Sequence, residues 1–423
     1  MKESDIQAYL NSYDLDVRKT KDGTWIDQKC TPDVVSYVAE CILNYMDDIG
    51  SDEYDAVFTI KDIMLNGFSK DNIIVFGKPD VVQGSNEYDK FFSQPIKLLS
   101  YSNVLKNLGK EGNTFQFKIA NLDLLEYIGD SERKAQTFLN VYVKKVLSDS
   151  GQWDVYEDYF NDQTAEKFNL VKKSFEDFMC GNTRRGGSRG GDLRDIRRVF
   201  PKAFNILAVA RHGKGTIGGY ISHDVIQRED ILYNRRNFYD EFTGKPKGLL
   251  RTEHSGPIAG EDEARTTVEI NKAKRKVKNY NRLNNNKKTE TYIDIAMSID
   301  EILAEKEKDE INKFGSEAHH IFPKGQFPSI AFYLENLITL TPNQHLLYAH
   351  PDRNPNQIDR LYQYYLLLCK TRRIRIDDEG FYSKEKYVEV LNIGFRTEDF
   401  TGMEDDFAGI VNRIKEEYGD VLE

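Results

Sequence analysis

Cysteine pairs, long apolar runs and histidine are all scarce in this chain, and each scarcity narrows the class of protein. Four cysteines occur in 423 residues (Cys30, Cys41, Cys180 and Cys369), and no two of them form a CxxC pair. That scatter argues against a disulfide-stapled scaffold and against a structural zinc site of the cysteine type. It leads us to expect reduced thiols in a cytoplasmic protein. No apolar stretch approaches the roughly 18 residues needed to span a bilayer, so no membrane segment is expected. The opening residues, MKESDIQAYLNSYDLD, are polar and acidic. They lack the basic-then-apolar order of a secretory signal. No internal repeat is visible.

What is present is enough apolar material for several cores: 39% hydrophobic residues, including 24 Tyr and 24 Phe. The length predicts two to four domains. A net charge of −10 would by itself argue against a nucleic-acid partner. Its distribution argues the other way. Residues 1–60 hold five Lys/Arg against thirteen Asp/Glu, whereas residues 181–288 hold 24 against 12. A localised basic segment inside an acidic protein fits a DNA groove, with the acidic remainder limiting nonspecific adhesion.

Along the chain the pattern is α+β and multidomain. Residues 1–90 read as an acidic, mostly helical region, with helical spacing from Ser36 to Met46. In residues 91–180, Gln94–Leu99 and Val104–Leu108 read as a helix with Pro95 near its start and Gly109 at its end. Phe115–Ile119 alternates as a strand. Helix, glycine turn and strand together predict a winged-helix-like, DNA-recognising unit. Residues 132–147 form an amphipathic helix. Residues 181–295 read as a basic, DNA-contacting region that opens on a Gly/Arg-rich linker, GNTRRGGSRGG over 181–191. Within it, Ala203–Ala210 is expected as a buried strand. The run 271–288 carries eight Lys/Arg and no acid. A helix from about Ser298 to Lys308 would lead into a catalytic segment spanning 296–370. Residues 371–423 form an α-rich extension.

The catalytic segment is marked by histidine. Only seven occur in the chain, and four of them, His319, His320, His345 and His350, fall within 32 residues. Imidazole is a common metal ligand and the usual general base near neutral pH. Adjacent residues on a strand point to opposite faces, so His319 and His320 cannot easily serve one metal together. The natural division gives one ring to a metal and the other to a water. His212, in Arg211-His212-Gly213-Lys214, and His254, in Arg251-Thr252-Glu253-His254, read as structural or phosphate-contacting and not as catalytic.

The stretch Glu317-Ala318-His319-His320-Ile321-Phe322-Pro323, then Asn336-Leu337-Ile338-Thr339-Leu340, then His345, resembles the HNH or ββα-metal nucleases over about 35 residues. It is closest to the version in colicin-type DNases and HNH restriction endonucleases, in which a Glu stands two before the His pair. The resemblance implies two antiparallel strands and a helix around one divalent metal ion. Mg²⁺ is the expectation, with Mn²⁺, Ni²⁺ or Zn²⁺ as substitutes. It implies that His319, His345 and His350 are metal ligands, that His320 is the general base, that Asn336 ties the loop to hold His320, and that Glu317 orients a neighbouring basic group. It also implies a sequence-specific type II enzyme that cuts double-stranded DNA to 5′-phosphate and 3′-hydroxyl ends. Such an enzyme acts as a homodimer, with a cognate DNA methyltransferase as functional partner. Arg184, Arg185, Arg189, Lys274, Arg275, Lys276, Lys278 and Lys324 are the expected contacts to the DNA backbone.

One position departs from the family pattern. The last ligand should lie four residues after His345, where this chain has Ala349. On a regular α-helix, five residues turn about 500°, which leaves His350 about 140° away from His345. Either the helix ends near Ala349 and lets His350 swing back, or His350 is not a ligand and the amide of Gln344 or Asn343 replaces it. Pro351 favours an ending there. The alternatives to a restriction enzyme are another HNH nuclease (homing, phage or defence effector, on DNA or RNA) and a noncatalytic DNA-binding protein. Asp27-Gln28-Lys29 resembles half of a different restriction-nuclease signature, but Pro32-Asp33 follows it instead of preceding it, so it is read as coincidence.

Overall fold

The computed structural model describes residues 1–50, 54–76, 85–183, 192–233, 261–283, 315, 317–350 and 358–419. They form a mixed α+β structure that divides into two compact units, Met1–Ala264 and Arg265–Glu423, a coarser division than the five segments expected from composition. Among the described residues, no helix is long and apolar enough to cross a membrane. All four cysteines are free thiols.

The first unit is built around helix α1 (Pro32–Asp48), which starts on a proline whose fixed φ suits a first helical turn and buries residues on every side. The chain then runs through strand β1 (Phe58–Thr59), helix α2 (Ile60–Leu65), helix α3 (Ser85–Tyr101) and the hairpin of β2 (Leu105–Glu111) and β3 (Thr114–Ile119). The three strands form one antiparallel sheet in the order β1-β3-β2. Helices α4 (Leu122–Asp130) and α5 (Glu132–Asp149) pack on α1. Helix α5 is the amphipathic helix expected from 132. The Ser131 side chain accepts a hydrogen bond from the Lys134 amide at its start, as an N-cap does. Helices α6 (Ala165–Asn182) and α7 (Asp192–Ala210) pack together, and α7 leads into a small hairpin, β4 (Lys214–Ile217) and β5 (Tyr220–Val225). His212 lies in the turn between α7 and β4 with φ 50°.

Two local expectations fail in this unit. Pro95 is not near a helix start, because α3 begins at Ser85, and Val104–Leu108 does not continue the helix, because α3 stops at Tyr101 and β2 begins at Leu105. Residues 105–111 find ladder partners in 114–119, and Gly109, at φ 92°, takes the bulge where the register shifts after Asn107. The glycine that read as a helix end is thus a strand irregularity. Ala203–Ala210 is helix, not strand. Ile196, Val199, Phe200, Ala203, Phe204 and Leu207 recur three and four apart on the buried face of α7. A short apolar run fits either element, and only the residues before 203 show the period. The expected helix at 298–308 lies outside the described residues.

The second unit opens with most of helix α8 (Glu261–Leu283). It continues through an antiparallel strand pair, β6 (Glu317–His320) and β7 (Leu337–Leu340), and three helices: α9 (Arg360–Arg375), α10 (Lys384–Phe395) and α11 (Phe407–Glu417). All four residues of β7 are buried. Ala273 and Val277 of α8 cover Leu337, while Ile338 and Leu340 join the core made with α9, α10 and α11. Phe322, two residues beyond His320, is clamped in that core against Gly394 of α10. A side chain at 394 would collide with the Phe322 ring.

Candidate metal centre

The strand register sets the first half of the site. His319 pairs with Ile338 and His320 with Leu337, so the two imidazoles leave β6 on opposite faces. After β6 the chain makes a loop of 16 residues, from Ile321 to Asn336, that returns as β7. Asn336 closes this loop. Its side-chain oxygen accepts from the Phe322 amide at 2.8 Å, and its amide donates to the carbonyls of Phe322 (3.1 Å) and Ile330 (3.3 Å). Its own carbonyl accepts from the Ile321 amide at 2.9 Å. The sequence expectation for Asn336, a bond to backbone across the loop, matches this geometry. Gln363 of α9 adds a tie that the sequence did not advertise. Its amide donates to the Ile321 carbonyl at 2.7 Å, and its oxygen accepts from the Tyr418 hydroxyl at 2.8 Å.

The second half is a helical turn that opens on a reciprocal cap. The Thr341 amide donates to the Gln344 side chain at 2.9 Å, and the Gln344 amide donates to the Thr341 hydroxyl at 3.2 Å, with Pro342 at the first helical position. Thr-x-x-Gln is a legible capping box, and it corrects one alternative: Gln344 is buried as a cap, so its amide is not a replacement ligand. Residues Gln344–Tyr348 then form a π-helical turn, in which the Ala349 amide donates to the Gln344 carbonyl five residues back at 2.9 Å. This slip resolves the one-residue departure. A π-turn is wider than an α-turn, so residues five apart come into register where residues four apart did before. His345 and His350 share a face, while Ala349 is fully buried in the core.

The result is a compact triad. Ring centroids lie 5.2 Å apart for His319–His345, 5.0 Å for His319–His350 and 4.9 Å for His345–His350. One nitrogen from each ring lies within 4.8 Å of the others, a set able to hold a metal ion. His319 is 3% exposed, and its buried Nε2 has no hydrogen-bond partner. An orphaned nitrogen at that depth costs about 1–3 kcal/mol unless something fills it. Burial first, and then the neighbouring His345 and His350, push the His319 imidazole well below its ordinary range. His345 is lowered by burial and by His350, with Glu317 pulling the other way. Neutral rings with free lone pairs are the form that binds metal.

His320 is held differently. Its Nε2 lies 3.0 Å from the Ala331 carbonyl. A carbonyl only accepts, so Nε2 carries the proton and Nδ1 is the basic atom. Burial, then the Lys274 charge, push this imidazole down to about 3, against the Ala331 hydrogen bond. Glu317, exposed at the start of β6, shares its strand face with His319 and lies within electrostatic reach of Lys274 and His345.

The expected basic residues are sorted by the structure. Arg184, Arg185 and Arg189 lie outside the described residues. Arg275 is 6% exposed and engaged within the chain, which corrects its reading as a free backbone contact. Lys276 is exposed and lines a groove with Glu269, Tyr333 and Phe381, away from the histidines. Lys274 and Lys278, four residues apart on α8, and exposed Lys324 of the loop share an electrostatic neighbourhood. Burial first, then Lys324 and Lys278, hold the Lys274 ammonium below the ordinary lysine range, against the pull of Glu317. In the first unit, Asp27 and Lys29 are buried before α1, and neither is on a strand.

The chain matches no family model, no curated protein and no solved structure.

Proposed function

We propose that the second unit is a ββα-metal nuclease centre and that the protein is a metal-dependent endonuclease acting on duplex DNA. The observation that carries this reading is the His319, His345 and His350 triad with its orphaned buried nitrogen, set beside a fourth histidine that faces away from it with a free Nδ1. The residues fit a divalent metal held by His319, His345 and His350. Their donor set is three imidazole nitrogens with no carboxylate, which favours Zn²⁺ or Ni²⁺ over the oxygen-seeking Mg²⁺ and Mn²⁺. Bound there, the ion supplies charge stabilisation to a phosphodiester and its leaving 3′ oxygen. His320 Nδ1 takes the proton of the attacking water, which leaves 5′-phosphate and 3′-hydroxyl ends. The Ala331 carbonyl fixes the tautomer. Asn336 holds the backbone at 322 and 330, on either side of the loop, and so keeps His320 aimed.

The order α1-β1-α2-α3-β2-β3 with sheet order β1-β3-β2 supports a winged-helix role for the first unit in DNA recognition. Because α3 is largely buried, its hairpin, with exposed Lys106 and Lys110, is the part of that unit offered to DNA. A type II restriction enzyme, acting as a homodimer beside a cognate methyltransferase, accommodates both units. The test is digestion of unmethylated genomic DNA with Mg²⁺, Mn²⁺, Ni²⁺ or Zn²⁺, followed by sequencing of the fragment ends. Discrete fragments with a common end sequence support restriction, and a smear supports a nonspecific nuclease. No cleavage under any of the four ions contradicts the catalytic reading.

A further inference from the structure

The basic run on α8 reads in sequence as one uniform phosphate-binding strip. The helix divides it. Residues four apart lie about 40° from one another around an α-helix, and residues two apart about 160°. Lys274 and Lys278 therefore share a face, and Lys272 and Lys276 share the opposite one. The packing decides which face meets the histidines. Ala273 and Val277 are buried on Leu337, and Leu337 is the register partner of His320. That contact lays α8 along the catalytic strand pair and turns Lys274 towards the imidazoles. Its charge bears on His319, His320 and His345, and on Glu317. Lys276, on the other face, meets Glu269 and Phe381.

Around the histidines, three lysines (Lys274, Lys278 and Lys324) stand near one carboxylate, Glu317. Among the described residues, none of the three lysines is in an ion pair of 4.0 Å or less. Like charges gathered at a half-buried place are costly unless an anion joins them. The chemistry that completes such a cluster is a phosphate oxygen, for which a lysine ammonium is a compact partner.

On this ground we infer that Lys274, flanked by Lys278 and Lys324, forms an anion seat that holds the phosphate of the strand being cut against the three-histidine centre, and that Lys276 and Arg275 take no part in it. The ligand class is a nucleic-acid phosphodiester, and the inference rests on the nuclease reading above. Lys274 is thus a group at the reacting phosphate, not one more contact along the backbone. Glu317 limits the excess positive charge and orients the Lys274 ammonium.

The experiment compares Lys274→Gln, Lys274→Arg and Lys276→Gln with the full-length parent, using Lys415→Gln on the exposed side of α11 as a control. Two readouts are taken: affinity for a short duplex in the presence of a chelator, measured across a salt series, and cleavage of the same duplex with metal. Zn²⁺ affinity and thermal unfolding confirm an intact centre. Lys274→Gln should weaken chelated binding about tenfold and lower the salt slope by about one. It should cut cleavage by about 10²–10³-fold, the scale of losing one charge-stabilising donor. Lys274→Arg should recover part of both, and Lys276→Gln should show a several-fold smaller effect. If the parent cleaves and Lys274→Gln matches it in both readouts, the anion seat is overturned while the nuclease stands. If the parent binds without cleaving under any ion and Lys274→Gln loses affinity, the seat stands and the nuclease reading falls. A parent that does not bind duplex DNA overturns the seat outright.

Discussion

Each unit of the chain buries a cluster of ionisable side chains, and the two clusters are built on opposite plans. In the first unit, the Lys29 ammonium donates to the Tyr233 hydroxyl at 2.9 Å, while the Tyr233 amide donates to both oxygens of Asp33 at 2.9 and 3.0 Å. The Lys29 amide donates to the Gln94 side chain at 2.8 Å. These groups answer one another, and the cluster joins α1, α3 and the residues after β5. In the second unit, three imidazoles meet with their nitrogens turned to one point, and His319 Nε2 has no partner. Both arrangements cost desolvation. The first is offset by hydrogen bonds inside the fold, whereas in the second the buried His319 Nε2 is left without one. Burial of charge alone therefore does not mark a functional site. A buried nitrogen left without a partner among converging rings is what sets the second cluster apart.

The largest expected effect that tests this contrast is on turnover. His320→Ala should lower cleavage by about 10²–10⁴-fold, the usual worth of a positioned general base. Zn²⁺ binding followed by calorimetry should be unaffected, because His320 faces away from the triad. Equal loss of metal binding would place His320 among the ligands and break the division of labour between the two strand faces.

Next comes a register exchange, Ala349→His with His350→Ala, which creates the four-residue spacing of the HNH pattern that the segment resembles. If the π-turn places the ligand, position 349 points into the core, and the exchange should lower metal affinity by more than about tenfold and destabilise the unit. Affinity equal to the parent would show that the turn relaxes to an ordinary α-helix and that the slip carries no function.

Asn336→Ala should reduce cleavage by about 10–100-fold, the scale seen when a partner that orients an active group is removed. The triad itself should still bind Zn²⁺, since all three ligands lie outside the Asn336 hydrogen bonds. A stopped-flow comparison of binding and cleavage separates the two.

The last effect lies in the first unit and concerns stability instead of turnover. Burial pushes the Asp33 carboxyl up to about 6, against hydrogen bonds from Thr31 and Tyr233. The folded protein keeps that proton to about pH 6, and the unfolded chain releases it near 3.8, so folding takes up a proton between those values. The stabilisation is full below about pH 3.8 and is lost as the pH rises through about 6. Asp33→Asn should flatten the parent's decline across this window, by on the order of 2–3 kcal/mol. Metal binding should not change. Urea denaturation at pH 4, 5 and 6 measures it, and an unchanged slope would mean that another group carries the proton.

The sequence made the second cluster far easier to see than the first. Histidine is rare in this chain, so four in 32 residues stand out, and alternation along a strand was enough to assign His319 and His320 to different faces. Asn336 was legible only through the resemblance to HNH nucleases, which implies an asparagine that ties the loop between the two strands. Lys29, Asp33 and Tyr233 were not legible as a group, because Tyr233 lies 200 residues beyond Asp33 and nothing local links them. Gln363 was hidden for the same reason. The hairpin at 105–119 and the helix at 192–210 were misread because the local pattern fits two elements, and the choice was made by a ladder partner in one case and by a packing face in the other.

By itself, the sequence determined which side chains this centre has to work with: the residue types, the spacing of the His pair, the closing asparagine, and a basic run close upstream. Those follow from the chemistry of single residues and the two-residue period of a strand. Tertiary structure alone decided whether His350 joins the triad and which lysines face it. Ala349 is held in the core, so the turn widens by one residue and carries His350 round to His345. Ala273 and Val277 settle on Leu337, so Lys274 turns inward and Lys276 does not. In both cases the decision belongs to apolar neighbours, because rotation about a helix axis is fixed by what the helix buries and not by the charged residues it carries.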